Sequence, residues 1–212
     1  MTRQADRTPE ADAQEARLRQ MPAEALPDVD VFIATYNEEY AILERMIIGA
    51  ASMDWPRERL HVWVLDDGKR DWLRDLAARE GVGYLRRDTN EDAKAGNINA
   101  AIARTSAPFF LVLDADFIPQ QQFLMRAIGF FQDPHIGIVQ APHYFFNSDV
   151  IQAGLKMDQV VRDDQRLFFE NIMSGRDGWD AAFCCGSNGI VRRAAIDRIG
   201  SRLPSGSVTR GG

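Results

Sequence analysis

The segment Phe109-Phe110-Leu111-Val112-Leu113-Asp114-Ala115-Asp116 is an apolar run of strand length that stops in two carboxylates at i and i+2. A buried strand of a parallel sheet reads as such a continuous apolar run. Ligands in open α/β sheets bind just beyond the carboxyl ends of the strands. Two Asp at that place, with no basic residue among the next few, suggest a hard divalent cation, because Mg²⁺ is held by one or two carboxylates together with substrate phosphates. The spacing alone carries little. With 21 Asp in 212 residues, chance supplies about 2 Asp-x-Asp matches. The other match, Asp28-Val29-Asp30, precedes a strand, at the wrong end of a parallel sheet for a ligand.

Further polar clusters fall after other apolar runs. Thr35-Tyr36-Asn37-Glu38-Glu39 follows one strand and opens a helix. Its hydroxyl, amide and carboxylate groups can read a base and a ribose, and equally can cap the helix. Asp66-Asp67-Gly68 follows a second strand; Asp-Gly is a turn dipeptide, and the doubled Asp is more than a turn requires. Asn90 through Asn99 opens a helix around Lys94-Ala95-Gly96. A compact cation beside helix N-terminal amides suits a diphosphate, and a polar helix start has the same composition. The chain has 22 Arg and only 3 Lys, so a Lys at this place is a distinct choice. Phe183-Cys184-Cys185-Gly186-Ser187-Asn188 mixes small and apolar residues, as a surface for a flat ligand or a buried strand end would. Gln140-Ala141-Pro142-His143 with Tyr144-Phe145-Phe146 reads as groove lining or as a buried aromatic cluster.

The elements that must position these groups alternate. Strands are expected at Val29–Thr35, Leu60–Leu65, Val82–Leu85, Phe109–Leu113 and Ile136–Gln140. Helices are expected at Glu38–Ser52, Asp71–Glu80, Ala95–Thr105 and Gln120–Phe131, with one or two long helices over Asp149–Met173. A short strand pair, Ala181–Cys185 with Gly189–Arg192, turns at Gly186, and a helix begins at Ala194. This alternation predicts an α/β fold with a mostly parallel, Rossmann-like sheet flanked by helices. Residues 1–27, polar and without an apolar stripe, read as a flexible N-terminal segment, and 28–212 as one domain.

Bulk properties exclude several classes. A net charge of −6 argues against nucleic acid as partner. No apolar run reaches the roughly 18–20 residues of a spanning helix, and the first 27 residues hold no secretory signal, so the chain itself reads as soluble. Cys184 and Cys185 are adjacent and read as reduced cytosolic thiols. The three His show no zinc spacing.

Taken in order, the clusters resemble the family 2 glycosyltransferases, and within them the catalytic subunits of bacterial cellulose synthases. The resemblance covers about residues 28–209 and implies a GT-A fold with UDP-glucose as donor. It implies that Thr35, Tyr36 and Glu38 contact the uridine, that Asp66 and Asp67 mark the uracil and ribose site, and that Lys94 touches the diphosphate. Asp114 and Asp116 would hold Mg²⁺ or Mn²⁺, and Phe183, Cys184, Cys185, Gly186 and Ser187 would cradle the end of a growing β-1,4-glucan. The implied reaction is processive and inverting. Its implied setting is the cytoplasmic face of the inner membrane, reached through family regions this chain lacks, with accessory synthase subunits as further partners.

Three departures stand out. Gln140-Ala141-Pro142 replaces Gln-Thr-Pro, and Phe183-Cys184-Cys185-Gly186 replaces Phe-Phe-Cys-Gly. After Thr209 the family continues into Glu-Asp, whose Asp is the general base; here Arg210-Gly211-Gly212 follow. The expectation is a donor-binding portion, weak or inactive alone. Other readings are a related polysaccharide synthase (another β-glucan, chitin or hyaluronan), a fragment that only binds UDP-sugar, and, on the Asp-x-Asp alone, a metal-dependent phosphotransferase.

Overall fold

A computed structural model describes residues 5–141, 167–179 and 181–200 of the chain. Six strands form one sheet: β1 Val29–Thr35, β2 Leu60–Asp66, β3 Gly83–Leu85, β4 Phe109–Asp114, β5 Ile138–Gln140 and β6 Gly189–Arg192. Their spatial order is β3-β2-β1-β4-β6-β5. β1 through β4 pair parallel, whereas β6 runs antiparallel to both β4 and β5. The sheet is therefore mixed at the β4 side, as expected for a mostly parallel α/β layer.

The α-helices among the described residues are α1 Thr8–Leu18, α2 Tyr40–Ala51, α3 Asp71–Arg79, α4 Ala93–Ile102, α5 Phe123–Ala127, α6 Ser174–Asp177 and α7 Arg193–Gly200. Side chains alternate along β1, so Val31 and Ile33 enter one core and Phe32 the other. The first core takes Leu43, Met46, Ile47 and Ala50 of α2, spaced i, i+3, i+4, i+7, with Leu73, Leu76 and Ala77 of α3 and Leu124 of α5. On the opposite face Phe32 stacks on Phe110 at 5.5 Å between ring centroids, under Ala101, Ile98 and Ile102 of α4.

Three sequence expectations change. Within the N-terminal segment expected to be flexible, residues 8–18 form a helix with Pro in its first turn. It docks through buried Leu18 and through Arg126 of α5, which pairs with Asp12 (2.6 Å) and Glu15 (3.2 Å). One apolar anchor, this distant basic partner and the ion pairs of the capping residues, Arg7 with Asp177 (2.8 Å) and Arg19 with Asp54 (2.6 Å), hold it, so no amphipathic stripe announces it. Residues 181–185 form no strand, because β6 pairs with β4 and β5 instead. Of the long helical stretch expected to end at Met173, the described end, Leu167–Met173, is a π-helix leading into α6. Residues 149–166 lie outside the described residues, as do Pro142, His143, Tyr144, Phe145, Phe146 and Thr209 through Gly212.

Candidate functional site

The chain steps from β1 outward to β2 and β3, then returns to β4 on the other side of β1. The carboxyl ends beside β1 therefore flank a topological switch point, the usual place for a ligand in such sheets. Register brings the clusters there: Thr35 lies opposite Asp66, and Ala34 opposite Asp114. With strands about 4.8 Å apart, three motifs distant in sequence share one edge.

The two Asp after β2 part company. Asp66 is 0% exposed. Its oxygens accept from Gly68 N (2.9 Å), Arg70 N (2.6 Å), Arg70 Nε (3.1 Å) and Nη2 (2.9 Å), and the Tyr84 hydroxyl (2.9 Å). Burial, and next the bond to Asp66, push the Tyr84 phenol up to about 12. Asp66 thus lies under the cleft, saturated with protein donors. Asp67 is held in a bidentate pair by Arg87, with both bonds 2.7 Å.

Arg70 also organises the end of β1. Its Nη2 donates to the buried Thr35 hydroxyl (2.7 Å) and its Nη1 to the Glu38 carbonyl (2.8 Å). Thr35 in turn donates to the Glu38 carboxylate, which also accepts from Tyr36 N at 2.9 Å. Burial raises the Glu38 pKa, but these bonds and the Arg70 charge outweigh it and hold the carboxyl below its ordinary value. The Tyr36 ring remains 61% exposed. It borders a cleft of about 460 Å³ lined also by Asn37, Asp67, Gly68, Lys69, Arg70 and Asn90. A side chain at Gly68 would collide with the Tyr36 carbonyl oxygen, so only glycine lets the two loops meet.

Lys94 stands in the first turn of α4. The turn before it is tight: Asp92 (φ 56°) and Ala93 (φ 43°) are both left-handed. Arg87 secures it by donating to the carbonyls of Glu91 (2.5 Å) and Ala93 (2.7 Å). A Cβ at Gly96 would strike the Glu91 carbonyl, so glycine admits this close packing. The Lys94 ammonium meets the Asp114 carboxylate and the Gly186 carbonyl (2.9 Å). Asp114 therefore has the basic partner its own neighbourhood in sequence lacks. Asp114 N donates to the Ser187 hydroxyl at 2.9 Å. Gly186 turns with φ +84°, and Cys185 N donates to Gln140 Oε1 at 2.6 Å. Cys184 and Phe183 are exposed, and Arg176 lies over the Phe183 ring at 5.0 Å.

Asp116 is exposed and has no hydrogen bond or ion pair among the described residues. No group of three or more His, Cys, Asp or Glu able to hold a metal occurs among the described residues. Two hard carboxylates alone fit an ion of the Mg²⁺ or Mn²⁺ type, whose remaining ligands are phosphate oxygens and water. They do not fit a closed zinc site.

The structure thus gathers Lys94, Asp114, Asp116, Gly186 and Ser187 on one side, and Thr35, Tyr36, Glu38, Asp66 and Asp67 on the other. Arg70, Arg87 and Tyr84 were not singled out in the sequence. Only Arg70 carried a signal, four residues after Asp66. The second Asp-x-Asp is structural: Asp28 pairs with Arg59 (3.3 Å) and His61 (3.2 Å). Buried Asp30 accepts from Trp63 Nε1 (3.0 Å), Ala107 N (3.1 Å) and Arg193 Nη2 (2.9 Å).

Comparison with known proteins adds three findings. The family model described as glycosyl transferase family 2 matches residues 30–200. The chain is 42% identical over 178 residues to the cellulose synthase catalytic subunit [UDP-forming] of Pseudomonas fluorescens (strain SBW25), covering 84% of the chain but only 24% of that subunit. Among solved structures, S. aureus TarS 1-349 in complex with UDP-GlcNAc superposes with a TM-score of 0.56 at 19% identity, over 82% of this chain and 47% of that one. The mannosyltransferase PcManGT from Pyrobaculum calidifontis, in complex with GDP-Man and Mn²⁺, gives 0.53 at 19%, over 89% and 52%. These likenesses show the fold, the α/β GT-A architecture of glycosyltransferases.

Proposed function

This chain belongs to glycosyl transferase family 2, and from that premise we propose that it binds UDP-glucose as the donor side of a processive, inverting β-1,4-glucan synthase. The observation that carries the reading is the strand-end pair Asp114 and Asp116 beside Lys94, at the switch point of the sheet and next to the Tyr36–Asp67 cleft. Relatives that are UDP-forming, and structural neighbours holding nucleotide sugars or Mn²⁺, support it.

In this proposal the exposed Tyr36 ring and the Asp67–Asn90 wall receive the nucleoside. Arg70 and Asp66 fix the loops that carry them. Lys94 binds the diphosphate as a compact cation. Asp114 and Asp116 would hold Mg²⁺ or Mn²⁺, which stabilises negative charge on the departing UDP. The segment Phe183–Ser187 faces the acceptor, whose hydroxyl attacks the anomeric carbon opposite the UDP and inverts it as the bond to the diphosphate breaks; UDP leaves, and the hydroxyl proton passes to a general base that none of these residues supplies. The proposed setting is the cytoplasmic face of a membrane, with accessory synthase subunits as further partners. No helix among the described residues is long and apolar enough to cross a bilayer.

Calorimetric titration of the chain with UDP tests the reading. Binding is expected with Mg²⁺ or Mn²⁺ present and lost in Asp116→Ala. A folded wild-type chain that binds no UDP in the presence of either ion would refute it. Titration with UDP-glucose, UDP-GlcNAc and UDP-glucuronate reads the sugar, with UDP-glucose expected to bind tightest.

A further inference from the structure

We propose that Lys94 is the resident counter-cation of Asp114, and that its transfer from this carboxylate to the donor's diphosphate is what lets a divalent ion bind, so that metal and nucleotide bind cooperatively through one side chain. The inference rests on the donor-site reading above and concerns how that site is loaded.

Three observations carry it. First, the Lys94 ammonium lies directly on Asp114, with the Gly186 carbonyl (2.9 Å) as its second acceptor. A second cation on the same carboxylate meets like-charge repulsion, while Asp116 alone offers a single open carboxylate. Second, the pair is accessible: the Lys94 and Asp114 side chains are 39% and 43% exposed, so an incoming anion can reach the ammonium. Third, the backbone beneath Lys94 is held, while its side chain is partly exposed. Arg87 ties the preceding turn through Glu91 O and Ala93 O, Gly96 packs that turn against α4, and Asn97 anchors the helix to Leu65 O at 3.0 Å. The exchange of partners therefore needs only rotation of a flexible four-carbon side chain.

The consequence is a linkage relation. A diphosphate that draws Lys94 away raises the metal affinity of Asp114 and Asp116, and by reciprocity the metal raises nucleotide affinity by the same factor. Without nucleotide, Lys94 acts as a competitor for the ion.

The test counts free Mn²⁺ by its paramagnetic resonance signal in titrations of the 212-residue chain, without nucleotide and with saturating UDP. Lys94→Gln keeps an N–H for the Gly186 carbonyl and removes the charge. It is expected to bind Mn²⁺ about three- to fivefold tighter than wild type without nucleotide, the upper part of the range for a partly exposed ion pair. The gain in Mn²⁺ affinity that UDP brings should shrink by the same factor. Lys94→Met, which also loses the Gly186 contact, should show the same tightening. Arg104→Gln, removing a cation just past the other end of α4, should leave Mn²⁺ affinity within about twofold, as expected for a screened distant charge. Unchanged Mn²⁺ affinity in both Lys94 variants, or equal tightening in Arg104→Gln, would overturn the proposal. Absence of UDP binding in wild type would overturn the donor reading instead, because the nucleotide-free comparison of wild type with Lys94→Gln decides the role of Lys94 by itself.

Discussion

Replacing Arg70 by Met tests the architecture under the cleft. The guanidinium makes two bonds to Asp66, one to the Thr35 hydroxyl and one to the Glu38 carbonyl. Its side chain is 14% exposed against 0% for Asp66. Removing one member of a buried pair costs about 3–5 kcal/mol, because it strands the other charge. Asp66 keeps three donors, Gly68 N, Arg70 N and the Tyr84 hydroxyl, and Met keeps an unbranched stem of similar length while losing the guanidinium that lies 5.3 Å from the Trp72 ring centroid. Both facts place the loss near the lower bound, about 3 kcal/mol. With a urea slope of about 2–3 kcal/mol/M for a chain of this size, the midpoint falls by about 1–1.5 M. Asp66→Asn alone should cost less, since Arg70 retains Thr35 and Glu38, and the double variant should show a coupling of about 1.5–3 kcal/mol. Urea unfolding followed by circular dichroism and tryptophan fluorescence measures all four proteins. An Arg70→Met loss under about 1 kcal/mol, or strict additivity with Asp66→Asn, would refute the account of Arg70 as the hub of these loops.

Other consequences follow from neighbouring contacts. Gly68→Ala forces a methyl onto the Tyr36 carbonyl oxygen and should cost about 1–3 kcal/mol as overpacking does, with UDP affinity falling further than that of a surface control; unchanged melting and UDP binding would disprove the close approach. Tyr84, raised from 10.0 to about 12, favours folding below the unfolded pKa, and that contribution is lost as pH climbs from about 10 to about 12. Partly buried against the core, it should yield only about 1 kcal/mol after screening, and Tyr84→Phe should flatten the stability curve over that window. Glu38, lowered in the folded state, works in the opposite sense: its contribution is present above the unfolded pKa and vanishes as pH drops through the folded one, so Glu38→Gln should reduce the acid sensitivity of the melting temperature. Asp30→Asn strands the Arg193 guanidinium at the far end of the sheet and should cost about 3 kcal/mol of stability while leaving UDP affinity of the folded protein unchanged; calorimetry showing weakened UDP binding would contradict the structural role assigned to Asp30.

Much of the sheet was legible because its signals are local. β1 runs over Val29–Thr35 as the apolar run indicates, and β2 and β4 each extend one residue further, to Asp66 and Asp114. The face of α2 was readable from Leu43, Met46, Ile47 and Ala50 for the same reason: a 3.6-residue period records which side is buried. The edges were less so. Residues 181–185 carry strand-like composition, yet β6 finds its partners in β4 and β5, and pairing is decided by which strand edge is open. α1 depends on Leu18 and on an ion pair to Arg126 more than a hundred residues away.

Burial and helix initiation act over a few residues, so the order of amino acids already puts carboxylates after apolar strands, alternates strands with helices, and opens α4 with a Lys. What those charges do depends on the folded arrangement of the chain. It separated Asp66, saturated beneath the cleft, from Asp67, fixed in its wall by Arg87, although the two are adjacent and chemically identical. It placed Lys94 on Asp114 and Gly186, joining segments 20 and 92 residues away. Pairing of charges depends on where the chain crosses itself, and the order β3-β2-β1-β4-β6 brings these groups to one edge.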